Sequence, residues 1–71
     1  MPLRCLLVDD SDDFLASARS LLVSQGVDVV ASATTGDEAL QLARSLLPDV
    51  ALVDVELGKE DGISVARKLT A

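Results

Sequence analysis

Two apolar runs each end abruptly in carboxylates, and this feature constrains the chain more than any other. Residues 50–53 are Val-Ala-Leu-Val and lead straight into Asp54; residues 3–8 are apolar except Arg4 and lead into Asp9 and Asp10. An ionised carboxylate is costly to bury unless it is paired or bound to a metal. Strands that carry acids at their tips are therefore presenting them to something. If the two strands lie parallel and adjacent, three carboxylates meet at one edge of a sheet.

The rest of the chain reads as scaffolding for that meeting point. Residues 3–8 form a first strand, nearly continuous in apolar residues, as expected when both faces are covered. Ser11 or Asp12 then caps a helix over about 12–25, with Asp12 and Asp13 in its first turn. Phe14, Leu15, Ala18, Leu21 and Leu22 recur on one helical stripe, and Gly26 is a natural C′ stop. Val27, Val29, Ala31 and Ala33 alternate with Asp28, Val30 and Ser32, which predicts a second strand at an edge. Thr35 to Glu38 forms a capping box for a second helix that buries Ala39, Leu40, Ala43, Leu46 and Leu47 and ends at Pro48. The strand 50–53 follows, then a loop over 55–60 containing Gly58. Asp61 can cap a last helix that carries Ile63, Ala66 and Leu69, with Val65 beside that face. Short connections in the order β-α-β-α-β-α predict right-handed crossovers and a parallel sheet.

At 71 residues the chain is one small domain at most, and domains of this size are marginal alone. No apolar run reaches the ~18 residues of a membrane span, and no basic segment precedes an apolar one as in a secretory signal. The expected location is cytoplasmic. The net charge of −6 argues against direct nucleic-acid binding by this segment and fits cation binding. Eight of the twelve acidic residues fall in the windows 9–13 and 54–61, each directly after an apolar strand. That position weakens the plainer reading of two solvated acidic loops. Cys5 is the only cysteine and sits among leucines; with no His in the chain to activate it, it reads as a small buried hydrophobe.

In open parallel sheets, ligands bind outside the carboxyl ends of the strands, at a switch point in strand order. If the first strand is central, Asp9, Asp10 and Asp54 share that place. Neighbouring strands lie ~4.8 Å apart, so the tip carboxylates repel unless a cation sits between them. Oxygen-only ligation without His or thiolate favours a hard ion, and Mg²⁺ is the natural choice. A helix N-terminus near Asp12 would suit an anion alongside. Aspartate is also a nucleophile in phosphoryl transfer.

These residues resemble the receiver domain of bacterial two-component response regulators. The resemblance is carried by Leu7-Val8-Asp9-Asp10, by Pro48 to Asp54, by Gly62 eight residues beyond Asp54, and by Thr35 to Leu40. It spans essentially the whole chain. It implies a flavodoxin-like (CheY-like) doubly wound parallel α/β sheet, here three β-α units in strand order 2-1-3, with residues 1–71 forming a partial receiver domain. Asp54 would be the phosphoacceptor and a metal ligand. Asp10 would bind Mg²⁺ directly, Asp9 mainly through water, and the backbone carbonyl of Glu56 would add a ligand. The partners implied are a sensor histidine kinase and a C-terminal effector domain, commonly DNA-binding. The module is not itself an enzyme.

The chain also departs from the family pattern. Gly58 stands where proline is common, implying a more mobile loop, and Glu56 adds an acid that should hinder anion approach. The fourth and fifth units would bring a Ser or Thr and a Lys; Thr70 and Lys68 are misplaced to substitute. A three-unit chain is therefore expected to be a fragment of a longer regulator. Its strand 50–53 would become an exposed edge, open to self-association. Two other classes stay open. Aspartate-nucleophile phosphatases share strand-tip acids but usually space the first pair as Asp-x-Asp. An unphosphorylated interaction or decoy module would bind a kinase without taking up phosphate.

Overall fold

A computed structural model describes residues 2–54 together with Arg67 and Leu69. In chain order the elements are β1 (Arg4–Val8), α1 (Asp12–Ser24), β2 (Asp28–Ala33), α2 (Gly36–Leu46) and β3 (Val50–Val53). The sheet is parallel with β1 in the centre, in the order β2-β1-β3. This is the predicted flavodoxin-like arrangement, with strand two at an edge. Residues 55–66, which hold Glu56, Gly58, Asp61 and Gly62, lie outside the described residues, and so does most of the predicted last helix. Arg67 and Leu69 are helical.

β1 is buried along almost its whole length because both its faces are used. Leu6 and Val8 point to the α2 side, where they pack with Ala33 and Ala39 and meet Leu42, Ala43, Ala51, Val53 and Leu69. Cys5 and Leu7 point to the α1 side, with Leu15 and Val29, flanked by Ala18, Leu22 and Val27.

The second strand departs from simple alternation. Cys5 is level with Val29 but Leu6 with Ala31, so Val30 is an extra residue in β2. A bulge of this kind turns the following side chains over. Val27 and Val29 therefore face α1, while Ala31 and Ala33 face α2. The expected single stripe is two half-stripes, one for each helix.

The helix ends follow their capping chemistry. Ser11 is the N-cap of α1, and its hydroxyl accepts from the Phe14 N–H at 3.2 Å. At the other end Gly26 has φ +85°. Its N–H donates to the Val23 carbonyl, and that of Val27 to the Leu22 carbonyl, both at 3.0 Å. This is a Schellman stop, which needs a residue tolerant of the left-handed region. Thr35 caps α2 by accepting from the Glu38 N–H at 3.2 Å. The Glu38 carboxylate reaches one residue further back than in a standard capping box, to the Thr34 N–H at 3.0 Å.

Three leucine and phenylalanine assignments are corrected. Phe14 and Leu21 are exposed, because α1 rests on Leu15, Ala18 and Leu22 and those two fall at the margin of that contact. Leu47 is exposed as well. It is the C-cap of α2 with φ 48°. The proline that follows disfavours the ordinary helical region, and the left-handed turn swings this side chain off the helix's apolar face. Leu42, absent from the predicted set, packs on the core.

Candidate functional site: a carboxylate cluster at the strand tips

Backbone pairing beyond the strands carries the acids to one place. The Asp9 N–H donates to the Ala33 carbonyl at 3.0 Å, and the Asp54 N–H to the Val8 carbonyl at 2.9 Å. Both bonds extend the ladders one step past the last strand residues. Asp9 and Asp54 thus leave adjacent strands at the same level, and Asp10 follows directly.

The result is the predicted cluster. Asp9, Asp10 and Asp54 each bring a carboxylate oxygen within 4.8 Å of the others. Asp9 is buried, Asp54 half-buried and Asp10 exposed. One Asp9 oxygen accepts from the Ser11 N–H at 2.9 Å, which orients the carboxylate and ties it to the α1 N-terminus. Glu56, the fourth expected ligand, lies outside the described residues.

The donor set fits a hard divalent ion. All three groups are carboxylates, graded from buried to exposed, so a metal held there would keep water on its open side, as Mg²⁺ does. Three like charges at this spacing repel one another without a counter-ion. The α1 N-terminus, where the Ser11 hydroxyl accepts from the Phe14 N–H, lies beside the cluster.

An apolar cavity of about 230 Å³ adjoins the acids, lined by Phe14, Leu15 and Ala18 of α1, by Leu7 and Leu52 of the sheet, and by Asp9 and Asp54. Sequence reasoning did not anticipate it, because it treated Phe14 as core. Cys5 behaves as predicted. It is buried, and burial pushes its thiol up from the ordinary 9.0, with a smaller opposing effect from the Leu52 backbone. A thiol held protonated is a poor nucleophile.

A three-stranded parallel sheet with its central strand first, and acids at the tips of that strand and its later neighbour, defines a class: the switch-point sites of flavodoxin-like folds. The family model "Response regulator receiver domain" matches residues 5–71, and the chain belongs to that family of two-component regulatory systems. It is 39% identical over 70 residues to a protein-glutamate methylesterase/protein-glutamine glutaminase of Alkalilimnicola ehrlichii, covering 97% of this chain and 18% of that protein. It superposes with a TM-score of 0.89 on the signal receiver domain of a modulated diguanylate cyclase from Desulfovibrio desulfuricans, at 39% identity over 99% of this chain and 56% of that one. The CheX–CheY–BeF3–Mg²⁺ complex of Borrelia burgdorferi gives a TM-score of 0.87 at 25% identity, over 99% of this chain and 54% of that one. The chain therefore spans about half the length of these solved structures and less than a fifth of the methylesterase. Receiver domains generally bind Mg²⁺ at an acidic pocket, and this structure brings three aspartates together at the strand tips.

Proposed function

We propose that Asp54 is the phosphoacceptor of this receiver and that Asp9, Asp10 and Asp54, with the Glu56 carbonyl, hold Mg²⁺. The observation that carries this reading is the convergence of three carboxylate oxygens within 4.8 Å at the switch point of the sheet. The Borrelia complex, which contains BeF3 and Mg²⁺ and includes a chain of similar fold, supports it.

The chemistry follows from the placement. A carboxylate oxygen of Asp54 attacks the phosphorus of a phosphohistidine on a sensor kinase. An O–P bond forms and the N–P bond breaks, with its electron pair returning to the imidazole nitrogen. The product is an aspartyl-phosphate on Asp54. Bound Mg²⁺ supplies the positive charge that offsets charge on the transferring group. Asp9 keeps its orientation through the Ser11 amide, and half-burial of Asp54 limits access of competing water. In this reading residues 1–71 are part of a cytoplasmic regulator whose effector domain delivers the output. The module relays a phosphoryl group and does not turn over a substrate as an enzyme.

The test is phosphotransfer from a phosphorylated histidine kinase to the full chain with Mg²⁺, followed by borohydride trapping of the acyl phosphate. Label should appear at Asp54 and vanish in Asp54→Asn. Label that persists in Asp54→Asn, or that is unaffected by chelation of Mg²⁺, would overturn the assignment.

The outer edge of β3 carries a second reading, that of a contact strand between chains. Val50 and Leu52 are exposed on the α1 side of that strand, and β1 is the only strand paired with β3 among the described residues. Sedimentation should reveal self-association that Leu52→Lys abolishes. A monomer at all concentrations would exclude it.

A further inference from the structure

The pairing of β1 with β3 poses a register problem that its apolar side chains leave open. Cys5, Leu6, Leu7 and Val8 lie level with Val50, Ala51, Leu52 and Val53. A one-residue slip would exchange the two faces of β3. A two-residue slip returns each side chain to its own face, and the residues that still overlap are again apolar on apolar. Such a slip would carry Asp54 along the strand by ~6.6 Å. That displacement exceeds the 4.8 Å within which the three acids meet. The β1–β2 pair has no such freedom, since its bulge distributes Val29 and Ala31 to opposite faces.

Polar groups at the far end of the ladder remove the ambiguity. The Asp49 N–H donates to the Arg4 carbonyl at 2.8 Å. The Arg4 N–H donates to the Asp49 carboxylate at 2.9 Å. The Arg4 guanidinium reaches the Leu47 carbonyl at 3.0 Å, holding the left-handed turn that introduces β3. Arg4 and Asp49 thus each donate to and accept from the other, and that reciprocity is met in one register only.

We propose that Asp49 is a positioning residue for the acid cluster: its clasp with Arg4 fixes the register of β3, and through it the meeting of Asp54 with Asp9 and Asp10. The register claim does not depend on a bound metal. Its consequence for metal affinity rests on the Mg²⁺ reading given above.

The experiment compares wild type, Asp49→Ala and Asp49→Asn in the full chain, with Thr35→Ala as a variant that weakens the fold without touching the ladder. Two quantities are read: amide hydrogen exchange at Asp54, and Mg²⁺ affinity by calorimetry. Asp49→Ala should speed exchange at Asp54 and weaken Mg²⁺ binding, each by about fivefold, the value of one typical hydrogen bond. Asp49→Asn keeps a side-chain acceptor oxygen and should restore both. Changes at Asp54 no larger than those in Thr35→Ala would overturn the proposal. If wild type fails to bind Mg²⁺, the metal reading fails and the exchange measurement still decides the register claim. If Asp49→Ala does not fold, Asp49→Glu keeps the charge and displaces the oxygen. Faster exchange at Asp54 in that variant supports the clasp, and wild-type exchange refutes it.

Discussion

The two faces of the sheet are closed to different extents. Towards α2, Leu6, Ala33 and Ala39 are fully buried, and β3 contributes Ala51 and Val53 to the same packing. Towards α1, Cys5, Leu7, Leu15 and Val29 make an equally tight group over β1 and β2. Over β3 that side is open among the described residues: Leu52 is 51% exposed and Phe14, which lines the same cavity, 56%. The strand itself is apolar on both sides, as a strand built to be covered twice would be. The contrast shows that sheet centrality, more than side-chain type, decides what is buried here. Leu6 and Leu52 are the same residue on neighbouring strands, yet one is fully buried and the other half exposed.

The largest expected effect tests that contrast directly. Leu6→Ala leaves a cavity in a fully enclosed site and should destabilise the fold by ~2–5 kcal/mol. Leu52→Ala removes atoms that are already half in water and should cost less than about 1 kcal/mol. Chemical denaturation of the two variants checks this. Equal losses would mean that the open side of β3 is covered in solution.

The acid cluster joins the tips of β1 and β3, and a divalent ion held there should stabilise the pairing of the two strands. A ligand that binds only the native state at a concentration of 100 times its dissociation constant adds ~2.7 kcal/mol. Mg²⁺ should therefore raise the denaturation midpoint of wild type, and its removal by chelation should reverse the gain. Asp54→Asn should lose most of that response. A response of wild-type size in Asp54→Asn would exclude Asp54 as a ligand.

How much of this was legible depended on whether a feature is local or depends on pairing. Ser11, Gly26 and Thr35 announced the helix ends because a cap is made by residues within a few positions of each other. The convergence of Asp9, Asp10 and Asp54 was legible once strand one is placed between the other two, an order that the family resemblance implied and the sheet shows. The Val30 bulge was not, because an extra residue in one strand has meaning only against its partner. Phe14 and Leu21 fit a helical stripe as well as Leu15 does, and only the width of the covering surface separates them. The Arg4–Asp49 clasp joins residues 45 apart and left one faint trace, a charged residue inside each end of two otherwise apolar runs.

Caps offer a control on the comparison of faces, since they depend little on what covers a helix. Thr35→Ala in α2 and Ser11→Ala in α1 should each cost ~1 kcal/mol, despite the unequal packing of the two helices. Thermal denaturation of the pair measures this. A much smaller cost for Ser11→Ala would indicate that α1 already frays at its N-terminus, extending the contrast from side chains to the helix backbone.

The smallest effect probes the closed half of the α1 side. Burial raises the Cys5 thiol above its ordinary value, with the Leu52 backbone opposing in part. The folded state therefore holds the thiol proton more tightly than the unfolded state does. By linkage, the associated stability is fully present below the unfolded value near 9, and it is lost as pH rises through the higher folded value. Wild type should lose slightly more stability above pH 9 than Cys5→Ala does. At pH 8 the buried thiol can be alkylated only when the structure opens, so the alkylation rate reports that opening. Leu6→Ala should accelerate alkylation strongly and Leu52→Ala hardly at all. Fast alkylation in wild type would show that the group around Cys5 opens independently of the α2 side, and the two faces would then differ in cooperativity as well as in cover.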